Sequence, residues 1–293
     1  MIRGLYGISL NTFREAVRQP FYYLLAGTAL AAILITMHLP LFTFYNDTDM
    51  YKDLGLSFML LFLLLAALLA AATGIAREVE DKTAHTILSK SGGRWQFIVG
   101  KYLGVLGGVG LATAALGVVF AVAVYYRVAI DAGVMEKAFA AGGLGRQVEE
   151  FRQRQFYQAL TVVPGVVMVF LQVAVLAAVA TALSTRFSST ASVALSLVAF
   201  VVGHLTAFLE GATRGAGGLV QALAQAVLAV LPFLEIFNIN EKLSHVMLVP
   251  TGPGSAAWIE VWSYVGWSAA YAVAYIAAAI IAGVVLFRRR SLA

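Results

Sequence analysis

The chain has 293 residues, of which 61% are hydrophobic and only 12% charged, and its mean hydropathy is +0.85. A soluble domain carries roughly a quarter charged residues, so this composition predicts an all-α integral membrane protein instead. The absence of cysteine excludes disulfides, thiolate metal ligands and a cysteine nucleophile. The net charge of +5 does not indicate a nucleic-acid partner.

Residues 1–20 form the first predicted element, an amphipathic helix. Its charged side chains interrupt the apolar core that a cleavable signal peptide requires, so an interfacial helix is expected instead. Such a helix either anchors the first membrane span or forms one wall of a docking surface for a partner. The apolar residues that recur along it at helical spacing are Ile2, Leu5, Tyr6, Phe13, Ala16 and Val17.

Six apolar segments follow, each long enough to cross a bilayer and free of Asp, Glu, Lys and Arg. These predicted transmembrane helices are residues 21–42, 54–76, 102–126, 157–183, 188–209 and 261–287. Within the long loop of residues 210–260, residues 219–231 are apolar but short, which predicts an interfacial or re-entrant helix. The alternative is a seventh span, which would put the C-terminus on the other side of the membrane.

The distribution of basic residues predicts the orientation of the spans. Six spans put both termini on one face, which then holds 12 of the 20 basic residues and 4 of the 15 acidic residues. Basic residues near the ends of spans remain in the cytoplasm. We therefore expect both termini to be cytoplasmic and the loop of residues 210–260 to face outward.

Residues 77–97 form a charged loop between the second and third spans. Opposite charges four residues apart, such as Arg77 and Asp81, favour a short helix, and the glycines at 92 and 93 end it. This element is either a solvated hairpin, as charged runs usually are, or a helix that docks on a soluble partner. The remaining residues that would form its surface are Glu78, Val79, Glu80, Lys82, Thr83, Ile87 and Leu88.

A row of small residues begins the third span. Gly100, Gly104 and Gly108 recur every four residues, a spacing that lets helix backbones approach closely. The row either packs against another helix of the same chain or forms a seam between two copies.

The sequence lacks the residues that several kinds of activity require. The predicted spans carry no carboxylate or ammonium group, which disfavours an ion-coupled secondary transporter. Gly100-Lys101 lacks the earlier glycine of a phosphate loop, so the chain is not expected to hydrolyse ATP itself. No catalytic residue, bound cofactor or metal site is predicted. Residues 235–242, which follow Pro232, are a gate, a partner contact or an interfacial loop.

Two segments of the sequence resemble type-2 ABC exporter permeases. The run Asn-Thr-Phe-Arg-Glu-Ala-Val-Arg at residues 11–18 resembles their N-terminal helix. Residues 77–90, with residues 94–104, resemble the loop between their second and third spans. The resemblance is greatest to the branch named for multicopper-enzyme maturation, which includes the permease linked to nitrous-oxide reductase assembly. That branch often has a proline-containing turn where this chain has Ser-Gly-Gly at residues 91–93.

The resemblance implies a mechanism and a set of partners. Residues 77–97 would contain the coupling helix, which sits in a cleft of a separate ATPase. Two ATPase copies, which bind ATP and Mg, would associate with this chain and a second permease copy or a homologue. A periplasmic partner protein is a further option. The residues of the N-terminal helix that would brace the coupling helix are Phe13, Arg14, Glu15 and Arg18.

The function implied is that of a permease subunit in the inner membrane of a bacterium or archaeon. It would couple ATP hydrolysis by its partner to export or to mechanical signalling across that membrane. A non-transporting membrane scaffold is the alternative from a different class of protein, and a secondary transporter is the least favoured.

Overall fold

The computed structural model describes residues 2–39, 47–80, 93–139, 155–206, 231–239 and 255–288, with residues 208, 211, 218, 222 and 225. The regular structure of these residues is helical, which confirms the all-α prediction. The elements in chain order are α1 (Ile2–Arg18), α2 (Pro20–His38), α3 (Asp47–Glu80), α4 (Arg94–Phe139), α5 (Gln155–Leu160), α6 (Val162–Leu183), α7 (Ser189–His204), a 3₁₀ turn (Leu234–Phe237) and α8 (Ala256–Arg288).

Five stretches of helix are long and apolar enough to cross a membrane, which confirms that this is a membrane protein. They belong to α2, α3, α4, the pair α5 and α6, and α8. Where the sequence predicts a span at residues 188–209, the structure describes α7, an apolar helix of 16 residues. The prediction of six spans therefore remains a prediction.

Local sequence signals account for several helix ends. Proline fixes φ and lacks an N–H, so Pro20 suits the first position of α2. At the start of α7, the Ser188 hydroxyl accepts a hydrogen bond from the Ala191 N–H at 3.4 Å. The interruption between α5 and α6 falls at Thr161, three residues before Pro164, whose ring would clash with the carbonyl four residues earlier in a continuous helix.

Helix α6 lies at the centre of the bundle and packs against α3, α4, α7 and α8. In the most apolar 18-residue window of the stretch Gln155–Leu183, 67% of the residues are buried, whereas the corresponding share is 22% for α2 and for α8. Small residues permit this close packing. A Cβ at Gly165, for example, would lie 2.5 Å from the Leu56 Cδ1 atom of α3. Helices α2 and α8 are therefore peripheral.

Helices α3 and α4 are much longer than a membrane span. They have 34 and 46 residues, or about 51 and 69 Å, against a hydrocarbon core of about 30 Å. Helix α3 reaches Glu80 and α4 begins at Arg94, so both extend into the predicted loop of residues 77–97. We call this end of the bundle basal, and the end that carries the start of α3 apical.

Candidate functional site

Helix α1 packs along the first turns of α4, directly over the row of glycines. A Cβ at Gly104 would lie 2.5 Å from the Thr12 Cβ and 2.6 Å from the Ser9 carbonyl oxygen. A Cβ at Gly100 would lie 2.8 Å from the Ile8 Cγ2. Since the closest atoms at Gly104 include backbone, a larger residue there requires α1 itself to move.

The contacts between α1 and α4 follow a single register, in which both helices advance by four residues. Two helices that stay in register in this way run side by side in the same direction, here over about 12 Å. The structure thus places the glycine row against α1 of the same chain. The facing pairs are Ile8 with Gly100, Thr12 with Gly104, and Ala16 with Gly108.

Part of the predicted apolar face of α1 packs on α4, and the interfacial position of the helix stays a prediction. The buried residues of α1 include Thr12 and Ala16, which pack on protein, whereas Tyr6 of the predicted apolar face is 67% exposed. Helical spacing located the face only approximately, because a glycine groove accepts a small polar residue such as Thr12 as readily as an apolar one.

A buried lysine joins α1, α3 and α4 next to this groove. The Lys101 Nζ donates to the Glu78 Oε1 at 2.6 Å and lies 3.5 Å from the Glu15 Oε2. Gly74 of α3 lies beside the ammonium group, since a Cβ there would be 4.0 Å from the Nζ. We call Glu15, Glu78 and Lys101 the basal junction.

The two ion pairs of the basal junction differ in strength. The Lys101 side chain is 4% exposed, so its charge requires close partners to offset the loss of hydration. Glu78 is 20% exposed and forms the shorter pair, whereas Glu15 is 43% exposed and more distant. Because solvent screens an exposed pair, the bond between α3 and α4 is the stronger of the two.

The four residues of the N-terminal helix predicted to brace the coupling helix divide into two that pack on the bundle and two that are exposed. Glu15 belongs to the basal junction, and the Phe13 ring lies 3.2 Å from where a Cβ of Gly107 would be. Arg14 and Arg18 are exposed on the other side of α1.

Of the nine residues predicted to dock the ATPase, Glu78 has a described side chain, and it lies in the basal junction. The backbones of three more are in the last turn of α3, and their side chains lie outside the described part of the chain: Arg77, Val79 and Glu80. The other five lie wholly outside it: Asp81, Lys82, Thr83, Ile87 and Leu88. Docking through these residues stays a prediction.

A second buried lysine lies at the apical end, where α3 begins. The Lys52 Nζ donates to the Gln158 Oε1 and to the Thr161 Oγ1 at 3.2 Å, and it lies 3.5 Å from an Asp49 carboxylate oxygen. It therefore holds the start of α3 to the break between α5 and α6. We call Lys52, Gln158 and Thr161 the apical junction.

A buried arginine caps α2 at the same end. The Arg127 Nη1 of α4 donates to the carbonyl oxygens of Met37 and Leu39, at 2.7 and 2.9 Å. The last carbonyls of a helix lack partners within it, and the negative end of the helix dipole favours a cation. Arg127 thereby fixes the end of α2 to α4.

Sequence analysis did not identify these three basic residues as buried. Each lies within two residues of the edge of a predicted span, where a charge is expected to reach water. A signal is present for two of them, because apolar sequence continues beyond the cation, away from the predicted span: residues 97–99 before Lys101 and 128–130 after Arg127. A long helix was therefore predictable, but the partners of each cation were not.

One polar contact lies within the bundle between α6 and α7. The His204 Nε2 is 2.9 Å from the Gln172 Nε2, and the His204 Nδ1 is 2.8 Å from the Phe200 carbonyl oxygen. These distances fit a neutral ring with its proton on Nδ1, which accepts from the Gln172 amide. Among the residues that the structure describes, no group of three His, Asp or Glu side chains could hold a metal ion.

The fold and the junctions define a class: a helical membrane protein whose charged contacts join helix ends on either side of a loop. The chain belongs to the ABC-2 transporter family, since the family model described as ABC-2 family transporter protein matches residues 11–281, from α1 into α8. Membership indicates a permease component of an ABC transporter, a type that associates with an ABC ATPase. No curated protein matches the chain.

Proposed function

We propose that the chain is the permease subunit of an ATP-driven exporter, and that the basal junction carries force from the ATPase into the spans. Two ATPase copies with ATP and Mg would bind its cytoplasmic face, and a second permease copy or a homologue would complete the pore. Both termini would lie in the cytoplasm of a bacterium or archaeon. The branch linked to multicopper-enzyme maturation is our expectation for its place within the family.

The observation that carries the proposal is the buried Lys101, held between Glu78 and Glu15. Glu78 lies in the last turn of α3 and Lys101 in the second turn of α4, so the two helix ends that flank residues 81–92 are tied to each other. A displacement of those residues by a partner would therefore move α3 and α4 as a unit. Rigid-body shifts of this kind are a common means of switching.

Helix α1 would be the third element of this unit, beside α3 and α4. It lies against the glycine row of α4 and supplies Glu15, so it moves with α4 or is forced out of the groove. The exposed Arg14 and Arg18 on its other side would be available to the ATPase or to anionic lipid.

Affinity purification of the tagged protein in mild detergent, with an assay of ATP turnover, tests the proposal. We expect a stoichiometric ATPase subunit, and we expect Glu80→Arg with Asp81→Arg to abolish its association. The matched control reverses two acidic residues at exposed positions, Glu235→Arg with Glu260→Arg, and should leave association intact. Retained association in the Glu80 and Asp81 variant would refute the docking assignment.

Lys101→Met separates coupling from docking. The altered chain should still bind the ATPase, because residues 81–92 are unchanged, but its effect on ATP turnover should fall severalfold. If the wild-type chain binds the ATPase without changing its turnover, the protein is a scaffold, the alternative function. Transport into liposomes driven by an ion gradient without ATPase would instead support a secondary transporter.

A further inference from the structure

We infer that α8 is a second transmission element, which couples the first turn of α4 to the 3₁₀ turn Leu234–Phe237 near the apical end. The inference deepens the proposed function and rests on it, because it adds a route by which a movement at the basal end reaches the opposite side. Contacts at the two ends of α8 carry the argument.

The basal contact is an aromatic stack. The Phe287 ring of α8 is fully buried and stacks on the Phe97 ring of α4, with centroids 5.9 Å apart and planes 20° apart. The guanidinium carbon of Arg94 lies 6.0 Å from the centre of the Phe287 ring. Arg94 is the first residue of α4, so α8 touches the point where the chain enters this helix from residues 81–92.

The contact nearer the apical end is made by three hydroxyl side chains on one face of α8, which we call the tyrosine clamp: Tyr264, Ser268 and Tyr271. The Tyr271 hydroxyl accepts from the Phe233 N–H at 2.8 Å, and the Tyr264 hydroxyl donates to the Ile236 carbonyl at 2.8 Å. The Ser268 hydroxyl lies 3.5 Å from the same carbonyl.

The tyrosine clamp supplies partners for the Phe233 N–H and the Ile236 carbonyl, beside the turn's own bond from the Asn238 N–H to the Glu235 carbonyl. Irregular backbone inside a membrane protein is tolerated where side chains satisfy its polar groups. On its other side the segment packs on α7, since a Cβ at Gly203 would lie 2.8 Å from the Pro232 carbonyl oxygen. Leu234 and Phe237 are buried, the turn also packs on α6, and the Phe237 ring lies 6.2 Å from the Tyr271 ring of α8. A movement of α8 relative to α7 would therefore act directly on this segment.

Helix α8 is suited to join its two ends. Tyr264 and Phe287 are about 35 Å apart along a helix that contains no proline, so it has no proline kink to absorb a displacement. Its flanks are open, with Trp267 75% and Val273 64% exposed. Its packed side lies on α6, where a Cβ at Gly283 would be 3.1 Å from the Ala182 Cα, so α6 supports α8 between its two ends.

The test measures how often the 3₁₀ turn opens when only the basal end of α8 is changed. Because the chain has no cysteine, Leu234→Cys gives a single buried reporter, whose rate of reaction with a maleimide reports local opening. In the purified chain without nucleotide, Phe287→Ala should raise this rate at least about fivefold, equivalent to about 1 kcal/mol of local stability. Ile281→Ala, on the exposed side of α8, should leave it unchanged.

Two further variants keep the result decisive. With Ile33→Cys as the reporter, a buried position on α2, Phe287→Ala should not raise the rate; an equal rise there would mean general loosening and would overturn the inference. With Tyr264→Phe and Tyr271→Phe already present, Phe287→Ala should add less than it does alone, since the link is already broken. If Phe287→Ala raises the rate by the same factor with and without the two tyrosine changes, the ends of α8 are independent, and this result would also overturn the inference.

An unchanged Leu234→Cys rate in Phe287→Ala also refutes the inference. None of these measurements uses the ATPase, so they stand whether or not the Glu80 and Asp81 variant loses its partner. Loss of the proposed function and loss of this inference are therefore separate results.

Discussion

The two ends of α3 and α4 bury basic side chains in different ways. At the basal end, Lys101 lies between two carboxylates of other helices. At the apical end, Lys52 donates to an amide and a hydroxyl group, and Arg127 donates to two backbone carbonyls. The distance between the two ends is the same along both helices. Lys52 and Glu78 of α3 are 26 residues apart, or about 39 Å, and so are Lys101 and Arg127 of α4.

This difference indicates what each end can do. A hydrogen bond with one ionised partner is roughly twice as strong as a neutral one, and this holds for the donors at both ends. At the basal end the acceptors are charged as well, so removing either charge leaves the other one buried without compensation. The basal junction is therefore suited to move as a unit. Lys52 also lies 3.5 Å from the Asp49 carboxylate of its own helix, but both apical cations reach the other helices through neutral acceptors, which water or another part of the chain can replace at lower cost. The apical end is the better candidate for the end that opens.

The largest expected effect comes from removing each lysine charge while keeping its length. Lys101→Met leaves two carboxylates facing an apolar side chain, and we expect a loss of about 3 kcal/mol of stability. Lys52→Met leaves a neutral amide and hydroxyl, with Asp49 30% exposed, and should cost about 1–2 kcal/mol. Thermal unfolding of both variants in one detergent measures the difference. Equal losses, or a larger loss for Lys52→Met, would contradict the comparison.

The next largest effect concerns the groove for α1. Gly104→Ala places a methyl group 2.5 Å from the Thr12 Cβ and 2.6 Å from a backbone oxygen, so it should cost about 2 kcal/mol and loosen α1. Gly107→Ala is the matched control, because its methyl group meets the Phe13 ring at 3.2 Å, and the ring can turn away. Trypsin cleavage after Arg14 and Arg18 should accelerate in the first variant and not in the second.

Much of the fold could be predicted from the sequence because apolar length is a strong signal. Residues 54–76 and 157–183 were expected to be helical and lie within α3 and within α5 and α6. Helix ends were less predictable. Lys101 and Arg127 bound a predicted span because a charge ordinarily marks its end, yet both are inside α4 and find partners on other helices.

The candidate site was only partly predictable, because its key contacts join residues far apart in the sequence. Glu78 was predicted to dock the ATPase and Glu15 to brace the coupling helix, whereas the structure pairs both with Lys101 of the same chain. The glycine row predicted close packing, but spacing alone does not say which helix fills it. The tyrosine clamp on α8 could not be predicted from the sequence, since its tyrosines resemble ordinary interfacial aromatics.

Neutralising one carboxylate at a time ranks the two ion pairs of the basal junction by their contribution to stability. Glu78→Gln should lower stability by about 1–2 kcal/mol, because this pair is 2.6 Å long and its carboxylate is 20% exposed. Glu15→Gln should cost less than about 1 kcal/mol, because the 3.5 Å pair is more exposed to solvent. Thermal unfolding gives both values, and added salt should reduce the Glu15 effect more. A larger loss for Glu15→Gln would reverse the assigned order.

The smallest effect serves as a control on the whole comparison, because it removes a neutral hydrogen bond between helices without changing charge. The Tyr22 hydroxyl donates to the Gly108 carbonyl at 2.7 Å on α4, and the Tyr51 hydroxyl donates to the Ile33 carbonyl at 3.1 Å on α2. Both acceptors are carbonyls inside helices, which retain a backbone partner when the hydroxyl is removed. Tyr22→Phe and Tyr51→Phe should therefore each cost only about 0.5–1.5 kcal/mol, with Tyr22→Phe the larger.

These two values decide why the ends differ. One outcome is that the stability loss differs as much between the two tyrosine variants as between Lys101→Met and Lys52→Met. In that case a property of the two ends that does not involve charge accounts for both differences. If the tyrosine variants lie close together while the lysine variants do not, the difference lies in the charges. Only the second result supports a basal end that moves as one charged unit below an apical end held by exchangeable neutral contacts.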